Sequence, residues 1–250
     1  MLEINEIFGP TIQGEGKKVG TPSVFVRFGK CNMQCPGFEV EYETPSGIKK
    51  CSCDSYYASD IAFRDEWSKY KTANELIEEL NKILPNYKVD IVLTGGEPLL
   101  YWNDIEFQNF MKHYIDNNYK ITIETNASID IKLNKDWQKE ILFSMSVKLS
   151  NSGETKEKRI NAKVLTNIIN FCNDSYLKFV VDIDSLEQAD KEIDEILEEI
   201  PPCEVYLMPL GDTAEIIDKN SLSVINLALK KGYMYSDRLH IRVWNNKRGV

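Results

Sequence analysis

The sequence predicts an α/β fold: an open, partial parallel β/α barrel of about six strands, with an inserted segment in one loop. Two observations predict it. After residue 70, segments with the apolar spacing of helices alternate with short, almost continuously apolar runs, which is typical of a parallel sheet covered by helices. Six or seven such runs are too few to close an eight-stranded barrel. We expect one domain over residues 1–250, because this length suits a single substantial core.

Local signals predict the elements of the first half. An apolar run at 23–28 predicts the first strand. A helix over 72–84 begins at Thr72, which forms a capping box with Glu75 three residues later. The remaining segments of this half are a helix predicted at 104–115 and strands predicted at 90–94, 120–125 and 141–147.

The second half repeats this alternation. We expect helices at 161–171, 185–200 and 221–231 and strands at 177–181, 204–208 and 239–244. The stretch from 36 to 71 interrupts the pattern. Residues 36–50 are polar and predict a hairpin-like insertion, and residues 56–70 predict a loop with a short helix.

The composition excludes several classes of protein. The net charge is −9, and an acidic chain repels phosphate backbones, so we expect no broad nucleic-acid surface. No apolar run approaches the roughly 18 residues of a membrane span, and residues 1–6 lack the pattern of a signal peptide. Four of the six cysteines lie within residues 31–53 rather than being spread as in disulfide-rich proteins. We therefore expect a cytoplasmic protein without membrane partners.

The cysteines at 31, 35, 51 and 53 are the strongest functional signal. Thiolates grouped on a loop after a strand bind a soft metal, either zinc or an iron–sulfur cluster. The Cys51-x-Cys53 pair has one intervening residue, which strains the bite of a zinc pair, so three of the four cysteines are favoured as ligands. Three ligands would leave one iron open to a small molecule. These residues alone do not decide whether Cys51 or Cys53 is the third ligand.

Other polar motifs follow the ends of predicted strands, where parallel barrels carry their functional residues. Thr94-Gly95-Gly96-Glu97-Pro98, Glu124-Thr125-Asn126 and Lys148 each occupy such a position, as Cys31 does. The glycine pair lets main-chain amides approach a ligand closely. We expect these motifs to share one rim of the sheet.

Two further features lie near the N-terminus. The stretch Gln13-Gly14-Glu15-Gly16 has the composition of a polar binding loop and equally that of a plain hairpin. Arg27 lies inside an apolar strand, so it either forms an internal salt bridge or binds a carboxylate in a cavity. We assign structural roles to His113 and His240, the latter in the predicted last strand.

Together these motifs resemble the radical S-adenosylmethionine superfamily and, within it, the 7-carboxy-7-deazaguanine synthases. The resemblance runs nearly end to end through Gln13-Gly14-Glu15-Gly16, Arg27, Cys31-Asn32, Cys31-x3-Cys35, Thr94–Pro98, Glu124–Asn126, Ser146-Val147-Lys148, Lys178–Val181 and Met208-Pro209. It has two departures: residues 36–52 are inserted before the third cysteine, and the histidine expected near the last strand is replaced around Trp244. The ending Cys53-Asp54-Ser55 resembles the family's Cys-Asp-Thr, which implies that Cys53 is the third ligand and Cys51 a bystander.

The resemblance implies a 4Fe–4S cluster on Cys31, Cys35 and Cys53, with S-adenosylmethionine bound to the free iron. One electron would cleave the sulfonium and give a 5′-deoxyadenosyl radical. The residues implied to bind S-adenosylmethionine are Ser52, Cys53, Asp54, Gly96, Ser146, Val147, Lys148, Lys178, Phe179, Val180 and Val181.

The implied substrate is 6-carboxy-5,6,7,8-tetrahydropterin, whose ring contracts with loss of ammonia in 7-deazapurine (queuosine-type) biosynthesis. The residues implied to bind it are Ile12, Gln13, Gly14, Arg27 and Thr94, with Glu15 and Glu124 in polar contacts or proton transfer. Ser55, where relatives have threonine, is the implied Mg²⁺ ligand. The resemblance also implies a homodimer and an electron donor such as flavodoxin.

Two other functions stay open. A glycyl-radical-enzyme activating enzyme would share the cluster and the Gly-Gly-Glu turn but act on a protein, whereas Arg27 and the loop at 13–16 favour a small carboxylated substrate. A non-enzymatic binding module would hold zinc on the four clustered cysteines. Colour separates the second alternative, because an iron–sulfur protein is brown and a zinc protein is colourless.

Overall fold

The computed structural model describes residues 1–245 and 247–249. Asn246 and Val250 lie outside the described residues, and so does the question of whether Val250 reaches the substrate. The strands of the described residues are β1 (Leu2–Ile12), β2 (Pro22–Phe28), β3 (Val40–Glu43), β4 (Lys49–Ser52), β5 (Ser68–Tyr70), β6 (Asp90–Gly95), β7 (Lys120–Thr125), β8 (Ile141–Met145), β9 (Asp174–Val181), β10 (Glu204–Pro209) and β11 (Met234–Tyr235).

The strands form one large sheet in the order β11-β10-β9-β8-β7-β6-β2-β1-β5 and a separate β3–β4 pair. β2 and β6 to β10 are parallel neighbours, and the two outer members of this group, β2 and β10, do not pair with each other in the described residues. The prediction of an open parallel barrel of about six strands is therefore confirmed. Strand β1, which pairs antiparallel with β2, was not predicted, because two register shifts interrupt its period of two.

Eight α-helices lie among the described residues, and the longer ones pack against the sheet. They are α1 (Tyr56–Ser59), α2 (Ala73–Asn81), α3 (Ile105–Asp116), α4 (Lys156–Arg159), α5 (Ala162–Phe171), α6 (Leu186–Glu198), α7 (Ala214–Lys231) and α8 (Leu239–Trp244). The capping box of α2 is confirmed, since Thr72 Oγ1 accepts from the main-chain N–H of Glu75 at 3.3 Å and the Glu75 side chain accepts in return. None of the helices in the described part of the chain is both long and apolar enough to cross a membrane.

Two predictions near the C-terminus are wrong. The helix expected at 221–231 begins at Ala214, where Thr213 caps it. The strand expected at 239–244 is helix α8, in which the N–H of Arg242 donates to the carbonyl of Arg238 at 3.0 Å. Six residues are too few for the apolar pattern to separate a strand from a short helix.

One face of each parallel strand packs against the helices. Six fully buried side chains, one from each strand, lie in this core: Phe28, Leu93, Ile123, Phe143, Phe179 and Leu207. Each contributes about 1.5–3 kcal/mol of transfer free energy on burial. Alternate residues of the same strands face the barrel interior, and near the carboxyl ends they include Thr94, Glu124 and Lys178. The sheet thus separates an apolar outer layer from a polar inner one.

The insertion at 36–52 is confirmed as a hairpin, built by β3 and β4. Tyr42 of this hairpin stacks on Tyr56, with ring centroids 4.3 Å apart, and its hydroxyl donates to Asp60 at 2.7 Å. Val40 pairs with Ser52, so the hairpin begins and ends at the same place. The insertion therefore adds a surface hairpin while leaving Cys53 beside the loop that carries Cys35.

Candidate active site

A cavity of about 1000 Å³ opens at the carboxyl ends of the parallel strands. It is where functional residues of such barrels are expected. Most residues singled out from the sequence line it: Ile12, Gln13, Gly14, Glu15, Arg27, Cys31, Cys35, Cys53, Asp54, Ser55, Thr94, Gly96, Glu124, Ser146, Lys148, Lys178 and Val180.

Four residues of the predicted S-adenosylmethionine set do not line the cavity. Val147, Phe179 and Val181 have their side chains in the hydrophobic core. For the last two the reason is the alternation of β9, which turns Lys178 and Val180 to the cavity instead. The side chain of Ser52 is buried beneath the cysteine loop and donates to the carbonyl of Gln34 at 2.5 Å.

Three of the clustered cysteines face the cavity and one does not. Cys31, Cys35 and Cys53 are free thiols on its wall, whereas Cys51 is exposed on β4. Within the described residues, the clustered thiols and their neighbours do not converge on one point that could hold a single metal ion. A 4Fe–4S cluster spreads its ligands over separate irons, so it has no such requirement. The donor set fits a cluster held by three cysteines and does not form a four-cysteine zinc site.

The surroundings of these sulfurs are polar but shielded from water. The main-chain N–H of Met33 donates to Cys31 Sγ at 3.4 Å, and Asn126 Nδ2 lies 4.0 Å from the same sulfur. Burial raises the pKa of the Cys31 and Cys53 thiols and raises that of Cys35 to about 12. Binding of iron supplies the positive charge that thiolates need in such a site.

The Gly-Gly-Glu turn holds the cysteine loop against the end of β6. Gly95 has φ +123°, and a Cβ at Gly96 would clash with the carbonyl oxygen of Lys30. Glu97 is fully buried and accepts from the main-chain N–H of Asn126 and the hydroxyl of Thr125, both at 2.7 Å. Burial raises the pKa of Glu97. The motif therefore joins three strand ends at the base of the cysteine loop.

On a second part of the cavity wall, Glu124 is the acceptor for two neighbours. Gln13 Nε2 donates to Glu124 Oε1 at 3.0 Å, and Thr94 Oγ1 donates to Glu124 Oε2 at 2.7 Å. The three side chains come from different elements: the loop after β1, strand β6 and strand β7. They form a compact set of donors and acceptors on the cavity wall.

Arg27 has an internal partner and also lines the cavity. Its Nε donates to Glu6 Oε1 at 2.7 Å, so it has an internal partner. Its guanidinium also lies over the rings of Phe8 and Tyr57, 5.6 Å from each centroid, and lines the cavity. Ser55 Oγ is 3.5 Å from Arg27 Nη1, so the serine hydroxyl and the guanidinium are neighbours.

A buried charge network joins the two walls. Glu15 accepts from Lys178 Nζ at 2.5 Å and from Arg238 Nε at 2.9 Å. Arg238 Nη2 also donates to Asp54 Oδ2 at 2.7 Å. Burial alone would raise the pKa of Glu15, but the charges of Lys178 and Arg238 hold it well below its usual range. Arg238 likewise lowers the pKa of Asp54.

Arg238 and His240 were missed as site residues. The structural role assigned to His240 is incomplete, because this side chain lines the cavity and packs where a Cβ at Gly14 would clash with it. His240 Nε2 lies 3.8 Å from Glu15 Oε1, and burial lowers the pKa of the imidazole. The sequence suggested that the family's histidine near the last strand is replaced around Trp244. In the structure, His240 provides a histidine in this part of the site. The sequence signal for Arg238 and His240 was weak, because they alternate with apolar residues as in a half-exposed strand.

Comparison with known proteins agrees with this geometry. The family described as "4Fe-4S single cluster domain" matches residues 12–170. The 7-carboxy-7-deazaguanine synthase of Halobacterium salinarum is 32% identical, covering 98% of this chain and 91% of the relative. That of Rhodopirellula baltica is 30% identical, covering 100% of this chain and 89% of the relative.

Solved structures share the fold. QueE from Escherichia coli has a TM-score of 0.66 at 20% identity and covers 96% of this chain and 94% of that one. SuiB from Streptococcus suis, bound to S-adenosylmethionine, has a TM-score of 0.50 at 16% identity, with 83% of this chain and 48% of that one covered. With three thiols on the cavity wall, a full-length match to curated relatives and a shared partial barrel, the chain belongs to the 7-carboxy-7-deazaguanine synthase family.

Proposed function

We propose that this protein is a radical S-adenosylmethionine lyase that converts 6-carboxy-5,6,7,8-tetrahydropterin to 7-carboxy-7-deazaguanine with loss of ammonia, in 7-deazapurine biosynthesis. The observation that carries the proposal is that three free thiols and the polar set of Gln13, Thr94 and Glu124 line the same cavity. A cluster that only carried electrons would not need a polar binding wall in the cavity that its ligands face. Family membership supports the same activity.

On the cofactor wall, Cys31, Cys35 and Cys53 hold the 4Fe–4S cluster and leave one iron for S-adenosylmethionine. When bound, the two cofactors supply one-electron cleavage of the sulfonium and thereby a radical that abstracts hydrogen. The side chains proposed to contact S-adenosylmethionine are Asp54, Ser146, Lys148 and Val180, with main-chain atoms at Gly96. Ser52, Val147, Phe179 and Val181 are confined to main-chain contacts or support, because their side chains point elsewhere.

Lys178 has a different role from the one its motif implies. Its ammonium is bound to Glu15, so we assign it to the link between the two walls rather than to a direct contact with S-adenosylmethionine. Burial of both groups makes this pair sensitive to the loss of either partner.

On the substrate wall, Gln13, Thr94 and Glu124 present donors and an acceptor to the pterin, with Ile12 and Gly14 beside them. Arg27 binds the substrate carboxylate with the part of its guanidinium that faces the cavity. Glu15 stays ionised and orients Lys178 and Arg238. An N–H of the substrate can donate to Glu124 in place of Gln13 or Thr94. The carboxylates thus position the ring within the cavity.

The remaining assignments rest on the family resemblance and simple chemistry. Mg²⁺ binds at Ser55, whose hydroxyl is a hard oxygen ligand 3.3 Å from a carboxylate oxygen of Asp54. The protein is a single-domain, cytoplasmic homodimer that receives its electron from a donor such as flavodoxin. Neither nucleic acid nor membrane is a partner.

An anaerobic assay tests the proposal. The reconstituted protein should be brown, and addition of S-adenosylmethionine should change the electron paramagnetic resonance spectrum of the reduced cluster. Incubation with the tetrahydropterin, Mg²⁺ and a reductant should give 7-carboxy-7-deazaguanine, detected by absorbance, together with ammonia. A colourless zinc protein would overturn the proposal. A cluster that cleaves S-adenosylmethionine but never consumes the pterin would favour an activating enzyme instead.

A further inference from the structure

Glu154 makes two main-chain contacts to the cysteine loop that no motif accounts for. Its Oε1 accepts the N–H of Gln34 at 2.5 Å and the N–H of Cys35 at 3.0 Å. The Glu154 side chain is 8% exposed and comes from the loop that follows the Ser146–Lys148 segment. Two successive amides on one carboxylate fix the direction of the main chain at the second cysteine.

The two loops also pack main chain against main chain. Cys35 has φ +49°, a left-handed conformation that non-glycine residues seldom adopt. A Cβ at Gly37 would clash with the carbonyl oxygen of Asn151, and a Cβ at Gly153 would lie 3.0 Å from the N of Gly37. The conformation at Cys35 is therefore held from outside its own loop, at the position of Glu154.

A buried ion pair between Arg159 and Glu192 supports the loop that carries Glu154. Glu192 accepts from the N–H of Ser150 at 2.9 Å and from Arg159 Nη2 at 3.0 Å. Arg159 Nη1 donates to the carbonyl of Lys148 at 3.1 Å. The side chains of Arg159 and Glu192 are 6% and 8% exposed. This ion pair therefore supports both the proposed S-adenosylmethionine contact at Lys148 and the loop that positions Glu154.

The charge of Glu154 also acts on the neighbouring sulfur. Glu154 Oε1 lies 3.0 Å from the main-chain N of Cys35, which places the negative charge next to this ligand residue. Lys158 Nζ donates to Glu154 Oε2 at 2.7 Å on the solvent side, and its side chain is 41% exposed. A negative charge beside a cluster ligand disfavours the reduced, more negative cluster.

We propose that Glu154 is a positioning residue for the cluster, which holds Cys35 through two main-chain amides and lowers the reduction potential through its charge. The inference rests on the proposed cluster at Cys31, Cys35 and Cys53. The two roles of this carboxylate can be tested separately. The amide contacts need an acceptor oxygen, and the effect on the potential needs the charge.

Retention of the cluster tests the amide contacts. In Glu154→Ala the amides of Gln34 and Cys35 lose their acceptor, so we expect loss of iron to a chelator to be about tenfold faster than in wild type. Glu154→Gln keeps an acceptor oxygen and should restore retention to within about twofold. Glu157→Ala, an exposed glutamate three residues away, is the matched control. Equal rates for Glu154→Ala and wild type would overturn the anchoring role.

Redox titration followed by electron paramagnetic resonance tests the charge. Glu154→Gln should move the midpoint potential up, and Lys158→Met, which uncovers the carboxylate, should move it down. Glu157→Gln should leave it unchanged. Opposite shifts for two members of one salt bridge are not expected from a merely structural defect. An unchanged potential in Glu154→Gln would remove the electrostatic part of the proposal.

Measurement on the cluster-free protein separates this inference from the proposed function. Hydrogen–deuterium exchange of the peptide around residues 32–38 should be faster in Glu154→Ala than in Glu154→Gln, without any cofactor. If Cys35→Ala retained the cluster, the ligand assignment would fail whatever the Glu154 variants did. If the ligand assignment held but exchange and retention did not respond to Glu154, only this inference would fail.

Discussion

The two walls of the cavity are built by different means. On the cofactor wall, thiols from one loop are held by main-chain packing, the Gly-Gly-Glu turn and amide hydrogen bonds. Beside the substrate wall, in the network that links it to the cofactor wall, charged side chains from distant segments hold one another: Glu15 lies 163 residues from Lys178 and 223 from Arg238. Changes on the first wall should therefore remove the cluster, and changes on the second should alter binding or stability while sparing it.

The largest contrast is expected between two neighbouring cysteines. Cys53→Ala removes a ligand from the cavity wall, so iron and sulfide content should fall to background. Cys51→Ala removes an exposed thiol on β4 and should leave both near wild type. Iron analysis after anaerobic reconstitution measures the effect, and the opposite pattern would reassign the third ligand.

Arg238 tests the charge network that links the two walls. Arg238→Ala deprives Asp54 of its cation and leaves Glu15 with Lys178 alone, so the free energy of unfolding should fall by about 3 kcal/mol. Arg242→Ala, four residues further on in α8, is the matched control, because its ion pairs with Asp218 and Asp237 are nearer the surface and should contribute less than about 1 kcal/mol. Urea unfolding of the cluster-free proteins measures both. Equal losses of unfolding free energy in the two variants would show that the buried network stabilises the fold no more than the surface ion pairs of Arg242 do.

The same network sets a dependence on pH. The pKa values of Glu15 and Asp54 are lowered on folding from ordinary values of 4.5 and 3.8, so the stability they contribute is present above those values. It is lost as the pH falls through their folded pKa values. The difference in unfolding free energy between wild type and Arg238→Ala should therefore be largest near pH 7 and shrink in acid. A difference that does not depend on pH would contradict the assignment of charge.

Arg27 should separate binding from cluster assembly. Arg27→Ala removes the guanidinium proposed to hold the substrate carboxylate, and the Michaelis constant for the pterin should rise about tenfold or more. The iron content should stay near wild type, because no contact of Arg27 reaches a cysteine among the described residues. Arg27→Lys, which keeps the charge and loses the fork, should fall between the two. An unchanged Michaelis constant would count against the role.

The contrast between the walls also explains what the sequence could predict. The cofactor wall is local, so a short spacing pattern identifies Cys31 and Cys35, and the hairpin at 36–52 leaves the pattern recognisable. Alternation of apolar segments was enough for the six parallel strands. Arg238 and His240 were missed because their partners are more than 180 residues away and α8 is too short for its apolar period to be read. Glu154 was missed because it contacts main-chain amides, which leave no side-chain pattern.

A buried carboxylate away from the cavity gives the smallest expected effect and the sharpest contrast with Glu15. Asp90, at the start of β6, is 4% exposed and accepts from Thr122 Oγ1 at 3.0 Å, but no cation pairs with it in the described residues. Burial raises its pKa above the ordinary 3.8, so its contribution to stability is present below that value and is lost as the pH rises through the folded pKa. The unfolding free energy of Asp90→Asn relative to wild type should therefore increase by about 1 kcal/mol between about pH 4 and about pH 7. Asp116→Asn, on an exposed helix end, is the control. If the stability of Asp90→Asn relative to wild type decreased over this range, Asp90 would have to be paired with a cation, which would contradict the structure.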